Sequence, residues 1–345
     1  MNDKILFLND SPYKNGLHSG EYFKENLGTK YISNIIFSSI DKIKQDAALP
    51  LFKILEHDYP KYYEEVVGKA NGMGIEPIAY FTFLCPEISD IGLEHCTTII
   101  CKDELGRYMI SHNEDDDYIE GNFCLSKVWI DDNNWFVTND MFNMPFGNGI
   151  SWNSYGIIKT INYCHDDNIE ICNLPRYFTQ RHISEADSID DIICRCNNMK
   201  PASGFHINAI DTNKNIAASI EVYNDNISVV YIDDYYIHTN HFIHGSHKDN
   251  PQTDSGSNSI FRLRKCQELL KNKSFNEITR ILQYRSDDDT FEKSILQNKS
   301  DPYMTLFNFS YNPSDKDMIL FTDYMNRKTV KLDYDIYKKD KNSMV

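Results

Sequence analysis

Long apolar runs are missing from this 345-residue chain. No stretch approaches the roughly 20 consecutive apolar residues that a membrane-spanning helix needs. Before polar residues resume, the first nine residues hold only the short apolar run from Ile5 to Leu8, which is too short for the core of a secretion signal. Low-complexity tracts and internal repeats at solenoid periods are also missing. These absences predict a cytoplasmic protein with no membrane partner.

Positive charge is scarce as well. The chain has 35 Lys and Arg residues against 51 Asp and Glu residues, which gives a formal net charge of −16. Such a surface repels phosphates, so no nucleic-acid partner is expected. The nine cysteines are odd in number and scattered, which argues against a disulfide framework and favours a reducing compartment. The apolar fraction of 41% is ample for a large buried core.

The predicted secondary structure changes near residue 95, from helices to strands. Apolar residues at helical spacing predict helices from Ser38 to Leu55 and from Tyr59 to Gly74, with Gly72 and Gly74 as stop signals. Beyond that point, β-branched runs separated by turn residues predict strands in adjacent hairpins, beginning with Thr97–Cys101 and Tyr108–His112 around the turn at 104–107. Further strands are predicted at 135–137, 156–161, 206–210, 217–222, 228–231, 305–309 and 317–321, and helices at 174–184, 188–197, 259–271 and 275–284. This order of elements is typical of antiparallel α+β layers.

A cysteine, Cys96, lies where the helical region gives way to the first strand of that hairpin. By itself, a cysteine at a strand start is more often a small buried apolar residue than a nucleophile. Its surroundings favour a different interpretation. After His95-Cys96-Thr97-Thr98 comes Asn113-Glu114-Asp115. The other segments that matter, in chain order, are Tyr59-Pro60 to Gly74, Gly149 to Gly156 (Gly-Ile-Ser-Trp-Asn-Ser-Tyr-Gly), Pro175 to Ser188 with Arg181, His238-Thr239-Asn240-His241-Phe242, and Asn258-Ser259-Ile260-Phe261-Arg262.

Together these segments resemble the isopenicillin N acyltransferase-like (acyl-coenzyme A:6-aminopenicillanic acid acyltransferase) family of N-terminal nucleophile hydrolases, over roughly residues 55–325. The resemblance implies a four-layer αββα fold, with residues 1–95 as a helical pro-region and 96–345 as the catalytic chain. It also implies cleavage between His95 and Cys96, with the pro-region kept as a subunit. No metal or organic cofactor is expected, although an acyl-coenzyme A is a possible substrate.

The chemistry explains why such an enzyme needs a cysteine at its new N-terminus. A thiol inside the chain attacks the preceding carbonyl group, and water hydrolyses the thioester that results. The freed α-amine, with a reference pKa of roughly 7.7–8.0, then serves as the base for its own thiol. Amide donors stabilise the oxyanion, and a carboxylate orients the amine. By resemblance, these roles and substrate binding fall to Cys96 as nucleophile, Asp115 as carboxylate, Asn153 and Asn240 as oxyanion donors, and Arg262 and Asn113 as substrate-binding residues.

Each assignment has a structural alternative. Asp115 belongs to an acidic run that could be a solvated turn, and Arg262 could be surface charge. Asn153 and Asn240 could be a turn residue and a loop cap. The sequence also departs from the family pattern at His95, at Glu114 (often aromatic) and at Asn258.

Several functions therefore remain open. The small-molecule substrate is expected to be an amide or an acyl thioester, and the acyl group passes to an amine or to water. The alternatives are plain hydrolysis of an N-acyl amine or N-acyl amino acid, a non-catalytic binding protein that has lost processing, and a metal-binding protein built on four histidines that recur every third residue: His238, His241, His244 and His247.

Overall fold

The computed structural model describes residues 5–89, 95–116, 123–164, 169–223, 225–245, 258–315, 318–324 and 328–334. The part before residue 90 is mainly helical, and most of the remainder forms two β-sheets with helices on their outer faces. Within these ranges, no helix is both long and apolar enough to cross a bilayer.

The helices of the N-terminal region agree with the prediction in type and shift slightly in position. The helix predicted from Ser38 begins later, because Asp41 caps it by accepting a hydrogen bond from the Lys44 N–H at 2.8 Å. Gly74 ends the next helix in the left-handed conformation, with φ of 75°, as the stop signal predicted. In order, these helices are α1 Pro12–Leu27, α2 Thr29–Ser39, α3 Lys42–Asp58, α4 Pro60–Met73, α5 Pro77–Phe83 and α6 Pro86–Ser89.

Helices α1 and α4 cross at unusually close range. Two glycines on each helix lie in the contact: Gly16 and Gly20 on α1, and Gly68 and Gly72 on α4. A Cβ atom at any of the four would overlap a backbone carbonyl oxygen of the other helix. Gly72 therefore serves helix packing inside α4, and the sequence-based prediction of it as a stop signal was wrong.

The strands form one sheet of eight and one of six within the described residues. The larger sheet has the order β1-β4-β5-β6-β7-β8-β9-β10, and the smaller one has the order β11-β2-β3-β12-β13-β14. All neighbouring strands are antiparallel except β1 and β4. The strands are β1 Ile5–Leu8, β2 His95–Lys102, β3 Tyr108–Asp116, β4 Phe123–Trp129, β5 Trp135–Met141, β6 Ser151–Asn153, β7 Ile157–Tyr163, β8 Phe205–Asp211, β9 Ile216–Tyr223, β10 Asn226–Tyr231, β11 Tyr235–His238, β12 Met304–Asn312, β13 Met318–Asp323 and β14 Lys328–Asp333.

The two sheets pack face to face and are covered by helices on both outer sides. Trp152 of the larger sheet stacks on Phe309 of the smaller sheet, with 5.6 Å between ring centroids, inside the main apolar core. The larger sheet is covered by α7 Arg176–Ile183 and α8 Ile189–Asn198, and the smaller one by α9 Ser259–Leu269 and α10 Phe275–Ile281. This arrangement confirms the predicted four-layer αββα fold.

The N-terminal region is bound to the sandwich by buried polar contacts. The Lys69 ammonium group lies 2.7 Å from Asp140 Oδ1 on β5, and Arg181 donates two hydrogen bonds to Glu65, at 2.9 and 2.7 Å. All four side chains are buried. Strand β1 also joins the larger sheet beside β4. The division at residue 95 stays a prediction, and it falls between parts that share a core.

Candidate active site

The hairpin of β2 and β3 presents two faces, because successive side chains on a strand alternate. Cys96 lies opposite Glu114 in the ladder, and Thr98 lies opposite His112. We call these four residues the inner face, since the Thr98 hydroxyl oxygen lies 3.0 Å from Asn162 Oδ1 on the larger sheet. The outer face, which is turned towards α9 and α10, consists of His95, Thr97, Asn113 and Asp115.

The thiol of Cys96 belongs to a chain of polar contacts on the inner face. Cys96 Sγ donates to Glu114 Oε1 at 3.5 Å, and Glu114 Oε2 lies 3.1 Å from His112 Nε2. The other ring nitrogen, Nδ1, lies 2.8 Å from the Thr98 hydroxyl. Burial lowers the pKa of His112 to about 3, so its imidazole is neutral at pH 7. A carboxylate and a neutral imidazole therefore lie directly behind the thiol.

The series of polar contacts continues from Thr98 into the larger sheet through two asparagines. Asn208 Nδ2 donates to Thr98 Oγ1 at 3.1 Å and to Asn162 Oδ1 at 2.7 Å. Asn162 Nδ2 is buried and has no hydrogen-bond partner in the described part of the chain. Asn162 Nδ2 is thus a buried amide donor close to β2, and the sequence did not single it out.

Arg262 holds the backbone of Cys96 from the outer side. Its Nη1 donates to the Cys96 carbonyl oxygen and to Thr97 Oγ1, both at 2.6 Å, and its Nη2 donates to Asn240 Oδ1 at 2.7 Å. Asn258 Oδ1 accepts from its Nε at 2.7 Å. Arg262 is 0% exposed, so the alternative of a surface charge was wrong. Because the guanidinium group donates to several acceptors at once, it fixes the positions of both β2 and Asn240.

Asn240 contacts the same residue from the other end. Its Oδ1 accepts the backbone N–H of Cys96 at 2.9 Å, and its Nδ2 donates to the carbonyl oxygen of Tyr163 at 3.0 Å. The backbone N–H and C=O of Cys96 are therefore held by Asn240 and Arg262, respectively. These two predicted site residues lie together at the predicted nucleophile.

Asp115 lies on the outer face, opposite His95 in the ladder and so beside the predicted cleavage site. Its Oδ1 accepts from the Thr305 hydroxyl at 2.6 Å, and its Oδ2 has no hydrogen-bond partner among the described residues. Burial raises its pKa to about 6, although the charge of Arg262 acts in the opposite direction. A solvated turn is thus the wrong description of this carboxylate.

His95 precedes Cys96 and is buried too. Its ring lies against Tyr303, with 3.8 Å between centroids, and neither ring nitrogen has a hydrogen-bond partner in the described ranges. Burial and the nearby Arg262 charge lower its pKa to about 3. The side chain therefore packs as a neutral aromatic ring.

The other two predicted site residues make mainly structural contacts. Asn153 Nδ2 donates to the carbonyl oxygens of Ser184 and Ala186, at 3.2 and 2.8 Å, while its Oδ1 accepts two backbone N–H groups of the β6–β7 turn. Asn113 donates to the Leu282 carbonyl oxygen at 2.8 Å, at the end of α10. Their roles in catalysis and substrate binding stay predictions.

Potential metal donors lie together in two places within the described residues. Cys96 Sγ, a ring nitrogen of His112 and a Glu114 oxygen lie within 4.8 Å of one another, a spacing that could suit a cation. The same atoms form the chain of polar contacts that begins at the Cys96 thiol. In the histidine-rich segment, His238 and His244 lie against Glu221, at 3.4 and 3.5 Å. The Nδ1 atom of the third histidine, His241, lies 2.7 Å from the Ser259 hydroxyl, and the fourth histidine, at position 247, lies outside the described residues.

Glu114 and His112 are the main site residues that the sequence analysis missed. The predicted second strand ended at His112, whereas β3 continues to Asp116. Glu114 lies beside Cys96 because the observed register pairs these two residues, and the turn predicted at 104–107 does not fix that register.

Residues 101–325, well over half of the chain, match the protein family described as acyl-coenzyme A:6-aminopenicillanic acid acyl-transferase. The chain belongs to this family. The range that matches the family contains Asp115, Asn153, Asn240 and Arg262, and it begins after Cys96. The resemblance given by the motifs is thereby confirmed, and acyl transfer is the activity that the description of the family supports.

A structure comparison finds similarity to the crystal structure of a mutant of the conjugated bile acid hydrolase from Clostridium perfringens. The two chains share 13% sequence identity with a TM-score of 0.45, over 70% of this chain and 93% of the other. No curated protein matches the sequence.

Proposed function

We propose that this chain is a self-processing cysteine enzyme of the N-terminal nucleophile type, with Cys96 as its nucleophile. The observation that carries the proposal is the hold on Cys96 itself. Asn240 accepts from its backbone N–H, Arg262 donates to its carbonyl oxygen, and the thiol points to the opposite face of the strand. A cysteine that merely fills a core does not need its backbone held by two buried polar side chains.

Burial of the His95–Cys96 bond favours cleavage by the chain itself. His95 is 5% exposed and Cys96 is 1% exposed, and both lie in a paired strand. External proteases cut exposed, mobile segments, so this bond is a poor substrate for them. An intramolecular attack by the neighbouring thiol needs no such exposure.

The cut would create the base for later turnovers. The new α-amine of Cys96 would donate to Asn240 Oδ1, as the backbone N–H does in the uncut chain. Once the cleaved end at His95 moves away, the amine would also lie beside Asp115. The pair of Asp115 and Asn240 would then orient an amine that accepts the thiol proton. We further propose that the Asn240 amide donates to the oxyanion of the acylation step.

The proposed reaction is attack of the Cys96 thiolate on an amide or acyl thioester, with loss of an amine or thiol. The acyl-enzyme then passes its acyl group to an amine or to water. Because of the buried Lys69–Asp140 and Glu65–Arg181 contacts, the N-terminal fragment would stay attached as a subunit. The nine cysteines, which all fall in the described ranges, are in the thiol form, and this suits the proposed cytoplasmic location.

Trapping the acyl-enzyme tests this function. Purified protein is mixed with a small panel of acyl thioesters and N-acyl amides and quenched in acid. The larger fragment should gain the mass of the acyl group at Cys96. An excess of amine acceptor separates transfer from hydrolysis, since only transfer yields a new amide. No acyl adduct and no product with any member of the panel would argue for a binding protein.

A further inference from the structure

Self-cleavage poses a problem that later turnovers do not. In the uncut chain the nitrogen of Cys96 is an amide, and its N–H is donated to Asn240 Oδ1 at 2.9 Å. An amide nitrogen is not basic, so the α-amine that serves the mature enzyme does not yet exist. Some other group has to take the proton of the thiol for the first and only cut.

Two nearby candidates are poorly placed for that task. His95 lies on the outer face, away from the thiol, with its ring against Tyr303 and with a pKa lowered to about 3 by burial. Asp115 is also on the outer face, where its Oδ1 accepts from Thr305. Alternation along the strands separates both side chains from the sulfur atom.

Glu114 is on the correct face and already accepts from the thiol. Cys96 Sγ lies 3.5 Å from Glu114 Oε1, within hydrogen-bond range for sulfur, and the two residues are directly paired in the ladder. The carboxylate is 2% exposed, so little water competes for it. Its second oxygen lies 3.1 Å from His112 Nε2, which would fix the rotamer of the side chain.

We propose that Glu114 is the base that accepts the Cys96 thiol proton during self-cleavage, and that His112 is a positioning residue that holds its carboxylate. This inference rests on the proposed self-processing function. In this arrangement the single Thr98 hydroxyl proton is directed at His112 Nδ1, 2.8 Å away, and Asn208 Nδ2 remains the donor to Asn162 Oδ1. The Nε2–H of the neutral His112 ring then donates to Glu114 Oε2. The hydrogen-bonded chain then presents Oε1 to the sulfur atom.

The proton and the bonds can be followed through the cut. The thiol proton passes to Glu114, and the thiolate forms a bond to the carbonyl carbon of His95. As the tetrahedral intermediate collapses, the carbon–nitrogen bond between His95 and Cys96 breaks, and Glu114 returns the proton to the leaving nitrogen. Water then hydrolyses the thioester, which yields the His95 carboxylate and a free Cys96 thiol beside its new amine.

A carboxylate is a weaker base than an amine, and this difference fits the task. Reference pKa values are roughly 4.3 for Glu and 7.7–8.0 for an α-amine. Self-cleavage occurs once in the life of a chain, so a slow step is sufficient. Repeated turnover needs the stronger base, and the cut itself supplies it.

The test compares neighbouring carboxylates on opposite faces of β3. Full-length chains are made by cell-free synthesis, and the loss of precursor is followed with time on a denaturing gel. The Glu114→Gln chain should process about 100-fold or more slowly than the natural chain, the usual scale for loss of a general base. Glu114→Asp should recover part of the rate. The Asp115→Asn chain, altered on the outer face, should process faster than the Glu114→Gln chain.

His112 is tested for its positioning role by a double-mutant cycle. His112→Gln alone should slow processing, but it should add little to the Glu114→Gln chain, since its effect passes through the carboxylate. Circular dichroism and melting temperature check that all variants fold. Normal processing of a folded Glu114→Gln chain would overturn the inference while leaving self-processing intact. An uncut natural chain would instead overturn the proposed function.

Discussion

The two faces of the β2–β3 hairpin carry different polar groups over the same few residues. On the inner face a carboxylate and, beyond it, a neutral imidazole lie behind the thiol of Cys96. On the outer face Asp115 and Arg262 lie beside the bond that is proposed to be cut. On the inner face Glu114 contacts the sulfur atom and His112 contacts Glu114. The outer groups contact or flank the backbone of Cys96. The comparison teaches that one hairpin can support two steps. Groups on the inner face act on the thiol during self-cleavage, and groups on the outer face hold the amine that the cut creates for later turnover.

The largest effect should come from the inner face. Cys96→Ala should leave a single uncut chain with no turnover, because both steps use the same sulfur atom. Cys101→Ala is the matched control, since Cys101 is buried on the other face of the same strand and packs against α9 and α10. A gel and an activity assay check both variants. Processing of the Cys96→Ala chain would assign the nucleophile to another residue.

Asn240 and Asn153 provide the next largest difference. Loss of an oxyanion donor typically lowers the rate roughly 100- to 1,000-fold. Asn240→Ala should show such a loss in kcat, with a smaller change in KM. Asn153→Ala should act mainly on stability, since its Nδ2 group already donates to two backbone carbonyl oxygens.

Turnover and melting temperature, measured on cleaved enzyme, separate these two effects. A catalytic loss in Asn153→Ala at unchanged stability would restore its assignment as an oxyanion donor.

Asp115 gives a pH-dependent test of the outer face. Its pKa is raised to about 6 from an ordinary 3.8, so its contribution to stability is full below pH 3.8 and is lost as the pH rises through 6. A difference of about two pH units corresponds to roughly 3 kcal/mol. The substitution Asp115→Asn is made in the uncut Cys96→Ala background. Relative to that parent, its free energy of unfolding should therefore be more favourable at pH 8 than at pH 4. Denaturant unfolding at both values checks this, and an equal difference at both would show that the carboxyl group does not titrate near pH 6.

The smallest effect is expected at His95. Its ring packs against Tyr303 and donates no hydrogen bond within the described ranges. His95→Phe should keep that contact, so self-cleavage should change only a few-fold. A processing time course checks it. A loss as large as that expected for Glu114→Gln would mean that the outer face supplies the base.

Much of the layered fold could be predicted from the sequence, because turns and alternating strands are local signals. Strand β1 could not, since its four residues are ordered by pairing in parallel with β4, more than a hundred residues away. Gly72 misled the prediction for a similar reason. Glycine signals a helix end locally, whereas here the close approach of α1 requires it inside α4.

The site shows the same limit. Cys96, Asn240 and Arg262 were found because their motifs resemble those of a family, and their mutual contacts became visible only in the fold. Glu114 was noticed merely as a departure from that pattern. Its role depends on pairing across β2 and β3, so a pattern matched residue by residue passes over it. Asn162 was missed too. Among the described residues its Nδ2 has no hydrogen-bond partner, and it comes close to β2 only through the packing of the two sheets.

The most direct test of the account is the intact mass of the purified, full-length protein, followed by N-terminal sequencing of the fragments. Cleavage between His95 and Cys96 predicts two fragments that co-purify under native conditions. The larger one should have Cys96 as its first residue and read Cys-Thr-Thr-Ile-Ile. A single uncut chain with full activity would contradict the central claim.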